Sequence, residues 1–189
     1  MKLILFLFLS IMVFPAYALK YRIDEALASD TRANATAIES KYFKVWYPQM
    51  HMDSLEAELF LGYLESAYKG IEKEIGRSFD NVHYENRKIE VFLAPKRFIC
   101  HVYGGYKHSR YSNPWIFLPV HMVKEGFSPY SHELTHLFTW NFTSHSLREG
   151  LACWMQARLA EQGIGLTCPI HGLESRQKAD NNTMLILQD

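Results

Sequence analysis

The longest patterned stretch of the chain, residues 53–76, has apolar side chains at intervals of three and four residues. That spacing places them on one face of an α-helix. Asp53 followed by Glu56 is typical of a capping box, and Gly76 is typical of a helix end. We therefore expect one long helix whose apolar stripe joins the core. The stripe comprises Leu55, Leu59, Phe60, Tyr63, Leu64, Ala67, Tyr68, Ile71 and Ile75.

Three shorter stretches have the patterns of β-strands. Residues 42–48 alternate and are rich in aromatic side chains, residues 88–95 alternate around Glu90, and residues 113–120 are apolar. Prolines near both ends of the third stretch predict a sheet edge, because proline cannot donate to a hydrogen-bond ladder. Residues 19–40 have no sustained period, which predicts a loose lead-in or a short helix.

Two further helices are predicted after the third strand. Ser128 and Pro129 are typical of a helix N-terminus, and the helix should continue through SHELTHLFTW (131–140). Residues 141–163 predict a short loop and a second helix that ends at Gly163. A loop of about six residues predicts antiparallel neighbours. The expected fold class is α+β: a small mixed sheet with an edge strand packed on the long helix, beside this helix pair.

The N-terminus has the pattern of an export signal. Lys2 precedes an apolar run over 3–14, and Ala16 and Ala18 have the spacing of a signal-peptidase site. The run is about a dozen residues, shorter than the roughly 20 that span a bilayer. We expect cleavage after Ala18, leaving 19–189 as a single exported domain, periplasmic or secreted, without a stable membrane anchor. A retained N-terminal anchor is the alternative.

Charge and cysteine content narrow the classes of function. Twenty basic residues balance twenty acidic ones, so the chain lacks the basic excess typical of nucleic-acid or anionic-lipid binding. Three cysteines in an exported chain permit one disulfide and one free thiol. The spacing of Cys100, Cys153 and Cys168 does not choose the pair, and nothing in the sequence indicates the oligomeric state.

The candidate chemistry lies in SHELTHLFTW. His132 and His136 are four residues apart, about one helical turn, so their imidazoles can share one metal ion. Glu133 is rotated by roughly a third of a turn from His132, where its carboxylate can act as general base. This is the His-Glu-x-x-His pattern of zinc hydrolases. An exposed helix with two solvated histidines is the alternative, and a third ligand would decide against it.

Glu149 is the candidate third ligand. His136 lies one turn before the first helix ends, and Glu149 lies in the first turn of the second helix. Both should therefore be roughly 4–6 Å above the connecting loop on adjoining helices. Ser146 and Glu149 also match a capping box, in which the carboxylate would bind backbone N–H groups. Ser144 can supply that cap, and we favour the ligand role for Glu149.

HELTHLF together with LREGLACW resembles the gluzincin, or peptidase MA-like, zinc metallopeptidases, in which H-E-x-x-H is followed by E-G-x-A on the next helix. The resemblance covers residues 128–160. It implies a minimal zincin-like metallopeptidase domain that binds one Zn²⁺ per chain through His132, His136 and Glu149, with Glu133 as the catalytic base. Three protein ligands leave one coordination position for water, as in catalytic zinc sites.

Two departures from the family pattern bear on activity. The gap between the histidines and Glu149 is short, and Cys153 stands where some relatives have an aspartate that orients the first histidine. His132 then needs another acceptor, such as a backbone carbonyl. Cys153 itself could approach the ion, but we expect a small buried side chain or half of a disulfide.

The sequence thus predicts an exported zinc-dependent peptidase that acts on a peptide or protein substrate. The alternative is a non-catalytic, peptidase-like zinc-binding domain that acts through protein partners. An extended substrate would pair with the edge of strand 113–120, as in β-strand addition. A donor is also needed for the oxyanion, and the candidates are Tyr111, Tyr130, His145 and His171.

Overall fold

The computed structural model describes residues 26–76, 88–95, 100–103, 114–140 and 142–165. Over these ranges the fold is α+β, as predicted, with an open mixed sheet. The predicted export signal lies outside the described residues, as do Cys168, Tyr111 and His171. Within the described ranges, no helix combines the length and hydropathy that crossing a bilayer requires.

The elements follow one another from a helix at the start of the described chain to the predicted helix pair. In chain order they are α1 (26–34), β1 (Thr36–Glu39), β2 (Phe43–Tyr47), α2 (Ser54–Ile75), β3 (Ile89–Ala94), β4 (His101–Tyr103), β5 (Trp115–Pro119), α3 (Val120–Lys124), α4 (Pro129–Phe138) and α5 (His145–Glu161). The structure confirms the predicted long helix, the predicted helix pair and the strands predicted at 42–48 and 88–95. Most of their ends lie within two or three residues of the predicted positions.

The sheet has the strand order β1-β2-β3-β5-β4. β2, β3 and β5 run parallel, whereas β1 and β4 are antiparallel to their neighbours. Every residue of β3 and β5 is buried, as expected for parallel strands whose two faces are both covered. One face packs against α2 and α4, and the other contributes Phe92 and Phe117 to a cluster that includes Ala28 of α1.

The prediction that residues 113–120 form a sheet edge is wrong. β5 lies between β3 and β4 and is hydrogen-bonded to both. The prolines permit this because they flank the ladder. Pro114 precedes the strand, and its carbonyl accepts the Glu90 N–H at 2.8 Å, while Pro119 is the last strand residue. In the described sheet, the edges are β1 and β4.

α2 forms with the predicted caps. The Asp53 carboxylate accepts the Glu56 N–H at 2.8 Å, and the Glu56 carboxylate accepts the Asp53 N–H at 2.9 Å. Gly76 ends the helix with a φ of 71°, in the left-handed region that glycine adopts without steric cost. Both ends of α2 are therefore determined by local sequence.

The buried face of α2 is narrower than the predicted stripe. Leu64 and Ile71 are fully buried, but Leu55, Leu59 and Tyr63 are 64%, 60% and 47% exposed. At about 100° per residue, Leu55 lies roughly opposite Leu64 on the helix. The predicted stripe therefore covered more than one face, and the assignment of these three residues to the core is wrong.

Two edge-to-face aromatic pairs hold α4 on α2. Phe60 contacts Tyr130 with ring centroids 5.4 Å apart, and Tyr68 contacts Phe138 at 5.2 Å. The partners are eight residues apart on each helix, so the two contacts are separated by about 12 Å along both axes. Contacts at both ends determine the direction of α4 and limit its rotation about its own axis.

α1 is attached to the opposite face of the sheet by a buried carboxylate. Glu90 of β3 is 7% exposed. It accepts hydrogen bonds from the Arg32 guanidinium at 3.1 and 3.2 Å and from the Trp46 indole N–H at 2.9 Å. These contacts satisfy a charge that would otherwise be costly to bury. They lie away from the histidines and have a structural role.

Candidate metal centre

The histidines are carried by the face of α4 that turns away from the core. Leu134, Leu137 and Phe138 are at most 4% exposed, as predicted for the interior-facing side of this helix. His132 and His136 lie about 40° apart on the other side, since four residues make slightly more than one turn. The apolar contacts therefore hold both imidazoles in place from behind.

α4 begins at Pro129, as predicted, but the Ser128 side chain does not cap the helix. The Ser128 carbonyl instead accepts hydrogen bonds from the Ser131 hydroxyl at 2.7 Å and from the Gln156 side-chain amide at 3.0 Å. Gln156 belongs to α5 and is 5% exposed. This buried contact ties the start of α4 to α5.

α5 presents a second row of polar side chains to α4. Glu149, Cys153 and Gln156 recur at intervals of four and three residues, so they lie on one helical face. Ala152, on the same side, is fully buried and permits close approach of the helices. The predicted antiparallel pairing places the start of α5 beside the end of α4.

Glu149 does not cap α5. The Ser144 hydroxyl is the cap and accepts the Leu147 N–H at 3.3 Å, so the capping-box alternative built on Ser146 is wrong. The Glu149 carboxylate turns to the histidines instead. Its Oε2 is 3.5 Å from Nε2 of His132, and its Oε1 is 3.5 Å from Nε2 of His136.

The three side chains form a compact donor triangle. The Nε2 atoms of His132 and His136 are 3.1 Å apart, and one donor atom from each of the three residues lies within 4.8 Å of the others. Zinc bonds of about 2.0–2.1 Å give a tetrahedron with edges of about 3.3–3.4 Å. The 3.1 Å between the two ring nitrogens is near that edge, and each nitrogen lies 3.5 Å from a different oxygen of Glu149, so His132, His136 and Glu149 lie close enough to hold a metal ion.

The triangle is open to solvent on the side of Glu149. The side chains of His132 and His136 are 15% and 12% exposed, whereas that of Glu149 is 43% exposed. A metal ion could therefore enter past the carboxylate, which attracts cations, and reach the two half-buried ring nitrogens.

The pKa values of His132 and Glu149 are both shifted by their neighbours in the triangle. Burial by itself lowers the pKa of His132, but hydrogen bonds with Cys153 and Glu149 and the negative charge of Glu133 outweigh it and raise that pKa to about 10. The neighbouring His132 and His136 hold the pKa of the Glu149 carboxyl well below its usual range. Without a metal, the Glu149 carboxylate is therefore ionised and His132 carries a proton, which an incoming cation must displace.

Glu133 lies directly beside the triangle. It is buried, with 8% of its surface exposed, and its negative charge acts on His132. Placed one residue after the first histidine on the same helix, its carboxylate points about 100° away from the His132 direction. It is therefore near the triangle without being one of the three converging donors.

Cys153 lies on the opposite side of the His132 ring from the triangle. Its Sγ is 3.9 Å from Nδ1 of His132, while Nε2 of the same ring faces Glu149. The expected backbone acceptor for His132 is therefore replaced by a sulfur. Cys153 is half-buried and Cys100 buried; neither forms a disulfide within the described residues. The spacing of four from Glu149 is the sequence signal for this contact.

Among the candidate oxyanion donors, His145 is the one that the structure describes beside the triangle. Nδ1 of its exposed ring is 3.7 Å from Oε1 of Glu149, which lies one turn further along α5. Tyr130, in the first turn of α4, is buried against α2 and lines a separate cavity of about 440 Å³ between α2, the end of α3 and the end of α5. Tyr130 is thus excluded as a donor at this site by its position.

Comparison of the chain with protein-family models, with curated proteins and with solved structures finds no match. The site is therefore identified by its geometry and its donor chemistry. Acidic side chains at a surface are common without a bound cation, so Glu149 alone would carry little weight. Two histidines that converge with it from a neighbouring helix carry more.

Proposed function

We propose that the chain is an exported zinc-dependent peptidase with a zincin-like fold, in which His132, His136 and Glu149 bind one zinc ion. The observation that carries the proposal is the donor triangle, in which the two ring nitrogens are 3.1 Å apart and each lies 3.5 Å from one oxygen of the Glu149 carboxylate, close enough for one zinc ion. Two imidazoles and one carboxylate are a donor set of catalytic zinc sites. A zinc ion there would supply Lewis-acid chemistry, making a water more acidic and polarising a carbonyl group.

Glu133 is the general base in this proposal. Its burial keeps its carboxylate out of bulk water, and its negative charge acts on the adjacent His132. It would accept the proton of the attacking water and then return it to the leaving amine of the cleaved peptide bond. A group with this role must lie near the reacting atoms and must not itself be a metal ligand.

His145 and β4 are the proposed substrate contacts. The exposed His145 ring beside Glu149 can donate an N–H to the substrate oxygen on which charge develops. β4 contacts α4 and forms an edge of the described sheet. An extended peptide would add to β4, in place of strand 113–120, by main-chain hydrogen bonds.

A second candidate is a zinc-binding domain that does not turn over substrate and acts through protein partners. The observation in its favour is the contact between Cys153 and His132, since a sulfur 3.9 Å away is a weaker acceptor than a carboxylate. A weakly held ligand ring would be compatible with metal binding but less so with fast catalysis.

The deciding experiment combines elemental analysis with digestion of a peptide library by the chain lacking residues 1–18. We expect one zinc per chain and cleavage that Glu133→Gln abolishes while zinc is retained. Glu161→Gln, an exposed change on α5 far from the triangle, is the matched control and should cleave normally. Zinc without cleavage would support the second candidate, and a chain that binds no zinc would refute both.

A further inference from the structure

We infer that Cys153 is a positioning residue of the metal centre, whose sulfur accepts a hydrogen bond from Nδ1 of His132 and thereby orients the ring. This inference rests on the proposed metal-binding function. It assigns the thiol a role that neither a disulfide nor a buried apolar side chain would have.

The contact follows from the spacing on α5. Glu149 and Cys153 are one turn apart on the face that meets α4, so both reach the same imidazole. Glu149 lies 3.5 Å from Nε2 of His132, and the Cys153 sulfur lies 3.9 Å from Nδ1. One helix therefore contacts both nitrogens of the ring.

The tautomer of His132 determines the direction of the hydrogen bond. A histidine that offers its Nε2 lone pair to a metal must carry its proton on Nδ1. Among the residues that the structure describes, the Cys153 sulfur is the one acceptor within hydrogen-bonding distance of that nitrogen. A ring without this partner would be less firmly oriented, and partners of this kind commonly affect metal affinity.

The same geometry argues against Cys153 as a ligand. A metal ion within the donor triangle lies on the Nε2 side of the His132 ring, whereas the sulfur lies on the Nδ1 side. The side chain of His132, only 15% exposed, separates the two positions. The sulfur therefore acts on the metal through His132.

The test measures zinc dissociation constants by competition with a chromophoric chelator, for the parental chain and three variants at position 153. Cys153→Val removes the acceptor at nearly constant volume. Cys153→Ser keeps an acceptor atom but on a shorter side chain, and Cys153→Asp introduces a stronger acceptor. We expect Cys153→Val to weaken zinc binding roughly 10-fold or more, within the 10- to 100-fold range of such partners. Cys153→Asp should restore or exceed the parental affinity, a rescue that a purely structural role would not produce.

Two controls separate this inference from the proposed function. Thermal unfolding of the metal-free variants checks that each is folded, and His136→Ala checks that zinc occupies the donor triangle. If the Val, Ser and Asp variants bind zinc as the parental chain does while His136→Ala does not, the inference is refuted and the metal centre stands. If the parental chain binds no zinc, the proposed function fails first.

Cobalt substitution provides an independent readout. The parental protein loaded with Co²⁺ should show no sulfur-to-cobalt charge-transfer band, because the sulfur faces the ring and not the ion. A band that Cys153→Val removes would make Cys153 a ligand and overturn the inference. A shift in the cobalt absorption of Cys153→Val without any such band would support a changed orientation of His132.

Discussion

Replacing Glu149 with glutamine should weaken zinc binding about 100-fold while leaving the helix intact. Glutamine keeps the length of the side chain and one oxygen, but it removes the charge and exchanges the other oxygen for an amide. The carboxylate converges with the two imidazoles, its Oε2 lying 3.5 Å from Nε2 of His132 and its Oε1 lying 3.5 Å from Nε2 of His136. It is not the cap of α5, since Ser144 has that role, so the N-terminus of α5 should be unaffected.

The magnitude follows from the number of ligands. Structural zinc sites with four protein ligands bind with about 10–16 kcal/mol near neutral pH, which is roughly 3 kcal/mol per ligand. At about 1.4 kcal/mol for each factor of ten, the loss of one ligand corresponds to roughly 150-fold. The remaining amide oxygen of glutamine recovers part of this, which makes about 100-fold the expected value.

The assay is chelator competition at constant pH, with Glu161→Gln as the matched control. Glu161 lies on the same helix, is 70% exposed and pairs with Arg158, so its change should leave zinc affinity unaltered. His136→Ala should abolish binding and shows that the assay reports on this site. If Glu149→Gln binds zinc as tightly as the parental chain while His136→Ala does not, Glu149 is not the third ligand.

Two further predictions concern stability. In the metal-free protein, His132 has a raised pKa, so its contribution is complete below its ordinary 6.5 and is lost as pH rises toward about 10. Glu149 has a lowered pKa, so its contribution is present above 4.5 and is lost as pH falls below that value. Glu149→Gln should therefore lower the free energy of unfolding most between about pH 4.5 and 6.5, as measured by urea denaturation in the presence of a chelator. An equal loss of stability at pH 9 would contradict this linkage. Leu134→Ala should cost about 2–5 kcal/mol in the same assay, because Leu134 is fully buried behind the histidines, and a cost below about 1 kcal/mol would show that α4 is not packed as described.

Much of the fold follows from short-range sequence patterns. The caps of α2 lie within the sequence of the helix and its neighbours, and both form as predicted. Pro129 starts α4, and the spacing of His132 and His136 places both rings on one face of any helix. Residues 42–48 and 88–95 form strands where their alternation predicts them. These features need few partners distant in the chain, which is why they can be read from the sequence.

The missed elements are short and depend on their neighbours. β1, β4 and α3 have three to five residues each and no period of their own, so no local signal identifies them. β1 forms by pairing with β2, and β4 forms by pairing with β5. The position of β5 inside the sheet, contrary to the prediction for 113–120, depends on the same pairing. Flanking prolines are compatible with either an edge or a central strand when they lie outside the ladder.

The site divides in the same way between sequence and structure. The sequence alone determined that two imidazoles and Glu133 share one helix, because helical geometry relates residues only a few positions apart. Only the tertiary structure decided that the Glu149 carboxylate turns to the histidines and not to the backbone, and that the Cys153 sulfur lies behind His132. Those outcomes depend on the rotation and separation of two packed helices. The rotation of α4 is limited by its contacts with α2, such as that of Tyr68 with Phe138, two residues that are seventy positions apart in the chain.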